Sequence, residues 1–203
     1  MTAAASTSRN RRGRPGYDRQ QVLEAAVRIF NQQGYDATSV SDIAASLGFA
    51  KSALYHHFES KASILELALD DALSGLESAL DSAVRDNGSA SAQLRQFVHS
   101  AVGVLTARLP QVMLLLRVRG NSEVELAALQ RRRAFDQRVA MIVAAAQEEG
   151  MLRKEIDASV ATRLIFGMIN SLVEWYRPDG PVDAAELADD VLLATFDGLQ
   201  THP

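Results

Sequence analysis

The chain has 203 residues, 47% of them hydrophobic and 23% charged, with a formal net charge of -4 at pH 7. A chain this long buries roughly 70% of its extended surface, so one large domain or two small ones can fold without covalent staples. It contains no cysteine, which excludes disulfides, thiolate-held metals and thiol nucleophiles.

Residues 1–16 are rich in Ser, Arg and Gly and poor in apolar side chains, and read as a flexible basic arm. No apolar run follows the arginines, so the segment is not expected to be a secretory signal. No stretch approaches the ~20 apolar residues of a membrane span. The expectation is a cytoplasmic protein with no membrane partner. Charge is divided unevenly: residues 1–65 hold eight Lys/Arg and five Asp/Glu, the remainder 13 and 20. A small basic end on an acidic body suggests an end that meets a polyanion.

Beyond the arm the apolar spacing is helical almost throughout, and no segment alternates with period two, so an all-α fold of about nine helices is predicted. The first helix runs from about Asp18 to Gln33, with Val22, Ala26, Ile29 and Phe30 inward and Gly34 as its stop. The second runs from Ser39 or Val40 to Leu47, with Thr38 in the N-cap position. The third runs from Lys51 or Ser52 to about Phe58. The fourth begins near Ser60 and carries Leu65, Ala68, Leu69, Ala72, Leu73, Leu76 and Leu80 as far as Asn87-Gly88. Further helices are expected over 91–107, 111–119, 122–149, 157–177 and 183–200, separated by Leu109-Pro110, Gly120-Asn121, Gly150 and Pro178–Pro181.

The segment from Ser39 to Phe58 reads SVSDIAASLGFAKSALYHHF. Two short helices crossing at a tight turn need a small residue at the contact, a residue free to take positive φ, and an apolar return to the shared core. Ala44, Gly48 and Leu54 stand at that spacing, with Ile43, Leu47 and Phe58 around them. The outer face of the third helix offers Lys51, Ser52, Ala53, Tyr55, His56 and His57. A short helix so equipped can lie in a major groove, its first residues at base edges and its donors on phosphates. Lys61, in the first turn of the next helix, stands where the dipole and free N–H groups also favour a phosphate.

Residues 17–65 resemble the N-terminal domain of the TetR family of bacterial regulators. The resemblance rests on Gly34-Tyr35-Asp36-Ala37-Thr38-Ser39-Val40, Ile43-Ala44, Leu47-Gly48, Ala53-Leu54-Tyr55-His56-His57-Phe58 and Ser60-Lys61. It implies a three-helix DNA-binding domain over 17–62 and a helical ligand-binding and dimerisation domain over 63–203, joined within the fourth helix. It also places Thr38 and Ser41 near the phosphate backbone and Ser52 and Ala53 against bases. Tyr55, His56, His57 and Lys61 would hold phosphates, and Arg11 and Arg14 would reach an adjacent minor groove. Lys51 has no role assigned by the resemblance.

In the body, helix 157–177 is apolar over too wide an arc for one contact, which suggests packing on a partner as well as on its own core. The last two family helices form a four-helix bundle between subunits. The expected homodimer interface is Leu164, Met168, Leu172, Trp175, Leu187, Val191, Leu192 and Thr195. A two-fold dimer would present two recognition helices to a palindromic double-stranded operator. The middle helices would enclose an effector, with Phe97, Ala101, Val104, Met113, Leu116, Phe135, Val139, Met168 and Trp175 as candidate walls. Their character suits an apolar or amphipathic small molecule. The stretch Asn170–Pro181 is similar to family members tied to fatty-acid or acyl-CoA metabolism. Arg117, Arg119 and Arg131-Arg132-Arg133 read first as a solvated charged face, with contact to an anionic ligand end as the alternative, and His99, among apolar residues, as a core or pocket histidine. No nucleophile motif, phosphate loop, HExxH or metal-ligand spacing occurs, so neither enzyme activity nor a cofactor or metal is expected. The expected function is a sequence-specific transcriptional regulator, a repressor released by its effector.

Overall fold

The computed structural model describes residues 18–48, 50–86 and 88–198. Among them are nine α-helices and no strand: α1 Arg19–Gln33, α2 Val40–Leu47, α3 Lys51–Tyr55, α4 Lys61–Arg85, α5 Ala90–Ala107, α6 Leu109–Arg117, α7 Glu123–Glu148, α8 Ala158–Trp175 and α9 Ala184–Leu192. A π-helical turn, Leu193–Asp197, follows α9 and closes at Gly198.

Helix starts follow the local chemistry. Asp18 caps α1 and is bridged back by Gln21, and Ser60 and Ser63 do the same for α4. Ser39, not Thr38, caps α2, in a box with Asp42. The Thr38 hydroxyl instead donates to the Gly34 carbonyl at 2.7 Å, and the side chain is buried. Leu109-Pro110 is no separator: it begins α6, with Pro110 in the first turn, where its missing N–H costs nothing. The last helix ends early, because five residues from Leu193 wind as a π turn before Gly198 takes φ 78°.

α2 packs on both α1 and α3, and Val22, Phe30, Ile43, Leu54 and Phe58 are buried in this half. α4 belongs to both halves: its first turns meet α1, and the rest packs on α5, α6 and α7. At 1.5 Å per residue its 25 residues span about 37 Å. Gly75 lets α5 come close, since a Cβ there would stand 3.0 Å from Val104 Cγ1. Arg131 of α7 clasps α4 through Asp70, Ser74 and Glu77, at 2.6 to 2.7 Å. Arg108 meets Asp71 at 3.0 Å, and Arg138 pairs with Asp81. Phe97, Phe135 and Phe166 join α5, α7 and α8 with ring centroids 5.8 to 6.1 Å apart. Among the described residues no single helix is long and apolar enough to cross a membrane.

Candidate nucleic-acid interface and body cavity

The tight turn forms as its residues require. Gly48 sits in the left-handed region at φ 70°, ψ 32°, and its N–H closes on Ala44 and Ala45. Fully buried Leu54 anchors α3, which packs on α2, and the opposite side of α3 turns outward. Lys51, Ser52, Tyr55 and His56 are exposed on that side, while Ala53 and His57 are half-buried. Lys51 Nζ lies 6.0 Å from the centroid of the Tyr55 ring. Ser41 is exposed in the first turn of α2. These groups share one outward surface of two short helices, a shape that enters a groove about 12 Å wide. Arg11 and Arg14 lie outside the described residues.

Two expected contacts are occupied internally. Thr38 is buried, as above. Lys61 Nζ donates to the Tyr35 and Thr38 carbonyls at 2.8 and 2.9 Å and stands 4.1 Å over the Tyr35 ring. It therefore ties the start of α4 to the α1–α2 turn. Spacing along the chain shows where a lysine starts a helix, but not which carbonyls the preceding turn presents to it.

The same turn is fastened to the body. Asn31 donates to the Pro110 carbonyl at 2.8 Å, and Arg117 donates to the Asn31 carbonyl at 2.6 Å. Asn121 reaches Asp36 at 3.3 Å. Glu125, buried, accepts from the N–H groups of Arg119, Gly120 and Asn121 at 2.7 to 3.0 Å and shapes that corner. Burial raises the Tyr35 phenol pKa, with Asp36 and then Glu125 adding to it. A cleft of about 490 Å³ lies between the two halves here.

A second cavity, about 280 Å³, opens within the body between α4, α6, α7 and α8. Leu73, Leu76, Val112, Leu115, Leu116, Phe135 and Phe166 line it, and Arg132, Asp136, Arg163 and Asn170 bring polar groups to it. Burial raises the Asp136 carboxyl, against the opposing pull of Arg132 and Arg163. Of the pocket residues expected from sequence, Leu116 and Phe135 line this cavity. Phe97, Ala101 and Val139 are buried core, Val104 packs toward Gly75, and Met113 is half-buried on α6. Met168 and Trp175 point outward.

Among the interface candidates, Leu164 is 62% exposed and Trp175 50%, and Met168 is exposed too. Leu172, Leu187 and Val191 are buried within the single chain, where they join α8 and α9 to the core. Leu192 and Thr195 are half-buried, and the Thr195 hydroxyl donates to Met168 Sδ at 3.6 Å. Val160, part of the apolar stripe of α8, and Leu193, not singled out in the sequence, are exposed as well. His99 corrects the sequence reading: its side chain is half exposed, with Nε2 3.8 Å from Asp189.

Residues 22–68 match the family of bacterial regulatory proteins of the tetR type, and residues 87–199 match the tetracyclin repressor-like C-terminal domain. The chain belongs to the TetR family. It is thus a DNA-binding transcriptional regulator. This TetR-family chain is 28% identical over 191 residues to the HTH-type transcriptional repressor KstR2 of Rhodococcus jostii (strain RHA1), covering 89% of this chain and 90% of that one. Its fold is similar to that of SCO3833, a TetR-family regulator from Streptomyces coelicolor A3, with 44% identity, a TM-score of 0.84, and coverage of 89% and 91%. It also shares the fold of AibR, whose structure is in complex with isovaleryl coenzyme A and operator DNA. There the identity is 24%, the TM-score 0.74, and the coverage 88% and 97%.

The sequence reading named Arg132 only within the Arg131–Arg133 run and passed over Asp136, Arg163, Phe166 and Asn170 as site residues. A signal was present. Arg132 and Asp136 are four apart, as are Arg163 and Gly167, so each pair shares a helix face. Reading Arg131–Arg133 as one charged block hid the fact that successive helical residues point in different directions.

Proposed function

We propose that this regulator is a repressor: a homodimer that occupies a palindromic operator and leaves it when a small apolar or amphipathic molecule enters the α4–α6–α7–α8 cavity. The carrying observation is α3, a helix anchored by buried Leu54 that turns Lys51, Ser52, Tyr55 and His56 outward. In this reading residues 17–62 bind DNA and 63–203 bind the effector and the partner. Ser52 and Ala53 meet bases. Ser41, Lys51, Tyr55, His56 and His57 hold phosphates, and Arg11 and Arg14 serve an adjacent minor groove. Thr38 and Lys61 act by shaping the α1–α2 turn. A DNA partner makes the cytoplasm the place of action, and the effector is bound without being turned over.

The dimer reading rests on α8. Val160, Leu164 and Met168 recur every four residues on an exposed face, and Trp175 lies seven beyond Met168. Such a stripe is a partner surface rather than a solvent face. A two-fold axis there would place the recognition helices one helical turn of DNA apart, about 34–36 Å.

Release follows from α6. Its Val112, Leu115 and Leu116 line the cavity, while Pro110 and Arg117 grip Asn31 at the end of α1. A ligand that prefers one position of α6 therefore biases the DNA-binding half, by as much as its affinity differs between the two positions and no more. Couplings of this kind typically reach 5- to 150-fold in affinity, so operator binding should weaken about that much. AibR, with an acyl thioester and operator DNA in one structure, supports an acyl-type effector.

The test is fluorescence anisotropy with the DNA flanking the protein's own gene, at fixed salt, against random DNA. Binding that resists competitor, and that weakens in Ser52→Ala and Tyr55→Phe, is expected. Equal affinity for random DNA would overturn the reading of α3 as a recognition helix.

A further inference from the structure

The body cavity has four polar residues on its wall and an apolar remainder. Arg132 and Asp136 come from successive turns of α7, Arg163 and Asn170 from α8. Several arginines that reach a neighbouring helix are committed: Arg131 to Asp70 and Glu77, Arg108 to Asp71, Arg138 to Asp81. Arg132 and Arg163 are not. Among the described residues neither makes a hydrogen bond or a close ion pair, and Asp136 and Asn170 make no hydrogen bond either. Their mutual influence is through space only, with Asp157 at the N-terminus of α8 also acting on Arg163. Two cations against one cavity carboxylate leave an excess of positive charge at the wall. A half-buried carboxylate without a donor is costly unless something supplies one.

Gly167 is the second observation. It lies in the middle of α8 and on the cavity wall, where glycine weakens a helix relative to alanine. Nothing within the chain demands it, since a Cβ would meet no atom within 4 Å. Gly167 is exposed, so this space opens to solvent at the rim of the cavity and leaves room there for a group outside the chain.

We infer that the effector is a hydroxylated, carboxylate-ended amphiphile: Arg132 and Arg163 hold its carboxylate, Asp136 accepts from its hydroxyl beside Gly167, and its apolar chain lies on Leu73, Leu115, Phe135 and Phe166. This rests on the proposed role of the cavity and names the chemistry it selects. The volume, about 280 Å³, is at the lower end of small-molecule pockets and suits a medium-length chain. An uncharged alcohol would leave both guanidiniums unpaired, and an amine would meet them as a like charge.

The test is calorimetric titration of the full chain with β-hydroxydecanoate, decanoate, decanol and decylamine. The hydroxy acid should bind tightest, then decanoate, then decanol, with decylamine weakest. Arg132→Gln and Arg163→Gln should each weaken the acids by roughly tenfold or more, as loss of a charge-assisted hydrogen bond does, and leave decanol unchanged. Asp136→Ala should abolish the preference for the hydroxyl. Gly167→Leu should weaken all four, and sedimentation of that variant shows whether the dimer persists. If decanol binds as well as the acids and the arginine variants are silent, the head-group assignment falls while the cavity stands. If none of the four binds and none alters operator affinity, the cavity is not the effector site and both readings fall.

Discussion

Lys61 and Thr38, expected to meet phosphates, have polar atoms engaged inside the DNA-free domain. Each stands near the expected DNA surface, and each has its polar atoms turned to carbonyls of the α1–α2 turn. Lys61→Met should therefore lower the thermal midpoint of the DNA-free protein, by the equivalent of about 1–3 kcal/mol for two charge-assisted hydrogen bonds. A phosphate ligand would behave otherwise: the midpoint would hold and the salt slope of operator binding would fall by about one. Asp70 gives a second test. Its hydrogen bond from Arg131 is the largest influence on it and holds its carboxyl below the ordinary value of 3.8. A depressed folded value means the stabilisation is fully present above the unfolded value and is lost as pH falls through the folded one. Asp70→Asn should therefore destabilise at neutral pH and be nearly silent below the folded value, as thermal melts across pH would show.

The helices themselves were largely legible, because caps and apolar periodicity are local. Asp18, Ser60, Ser122 and Asp183 each cap the helix that follows. Errors came where two local signals competed. Thr38 and Ser39 are both good caps, and Pro110 both breaks a helix and starts one. What joins helix to helix was not legible. Gly75 was one glycine among twelve until α5 was seen crossing it. Gly75→Leu should push Val104 away and cost about 1–3 kcal/mol by overpacking. If unfolding midpoints of that variant match the parent, the α4–α5 contact is looser than the 3.0 Å approach implies.

At the scale of the whole molecule, the proposed dimer would make the exposed face of α8 and the turned-out face of α3 parts of one device. A single recognition helix makes few base contacts, and specific operators are commonly read by two in fixed register. Leu164→Asp places a charge on a side chain that is 62% exposed, so the single chain should keep its fold. The expected outcome is a monomer in sedimentation and a loss of operator affinity of at least 100-fold, with unchanged helical content. A variant that stays dimeric and binds as before would remove α8 from the interface.

Helical class, the tight turn at Gly48, the outward set on α3 and the family were all readable from the chain, because each depends on residues within one or two turns of each other. The cavity, the clamp on Asn31 and the division of α8 and α9 into buried and exposed rows were not. Leu172 and Leu164 are equally apolar as letters, yet one is buried in its own chain and the other faces outward. Arg131 and Arg132 are neighbours in sequence, yet one is spent on α4 and the other is left at a cavity wall. Such differences arise when helices distant in sequence are brought together. The direction each side chain then meets, core, cavity or open face, is a property of the packing and not of the residue.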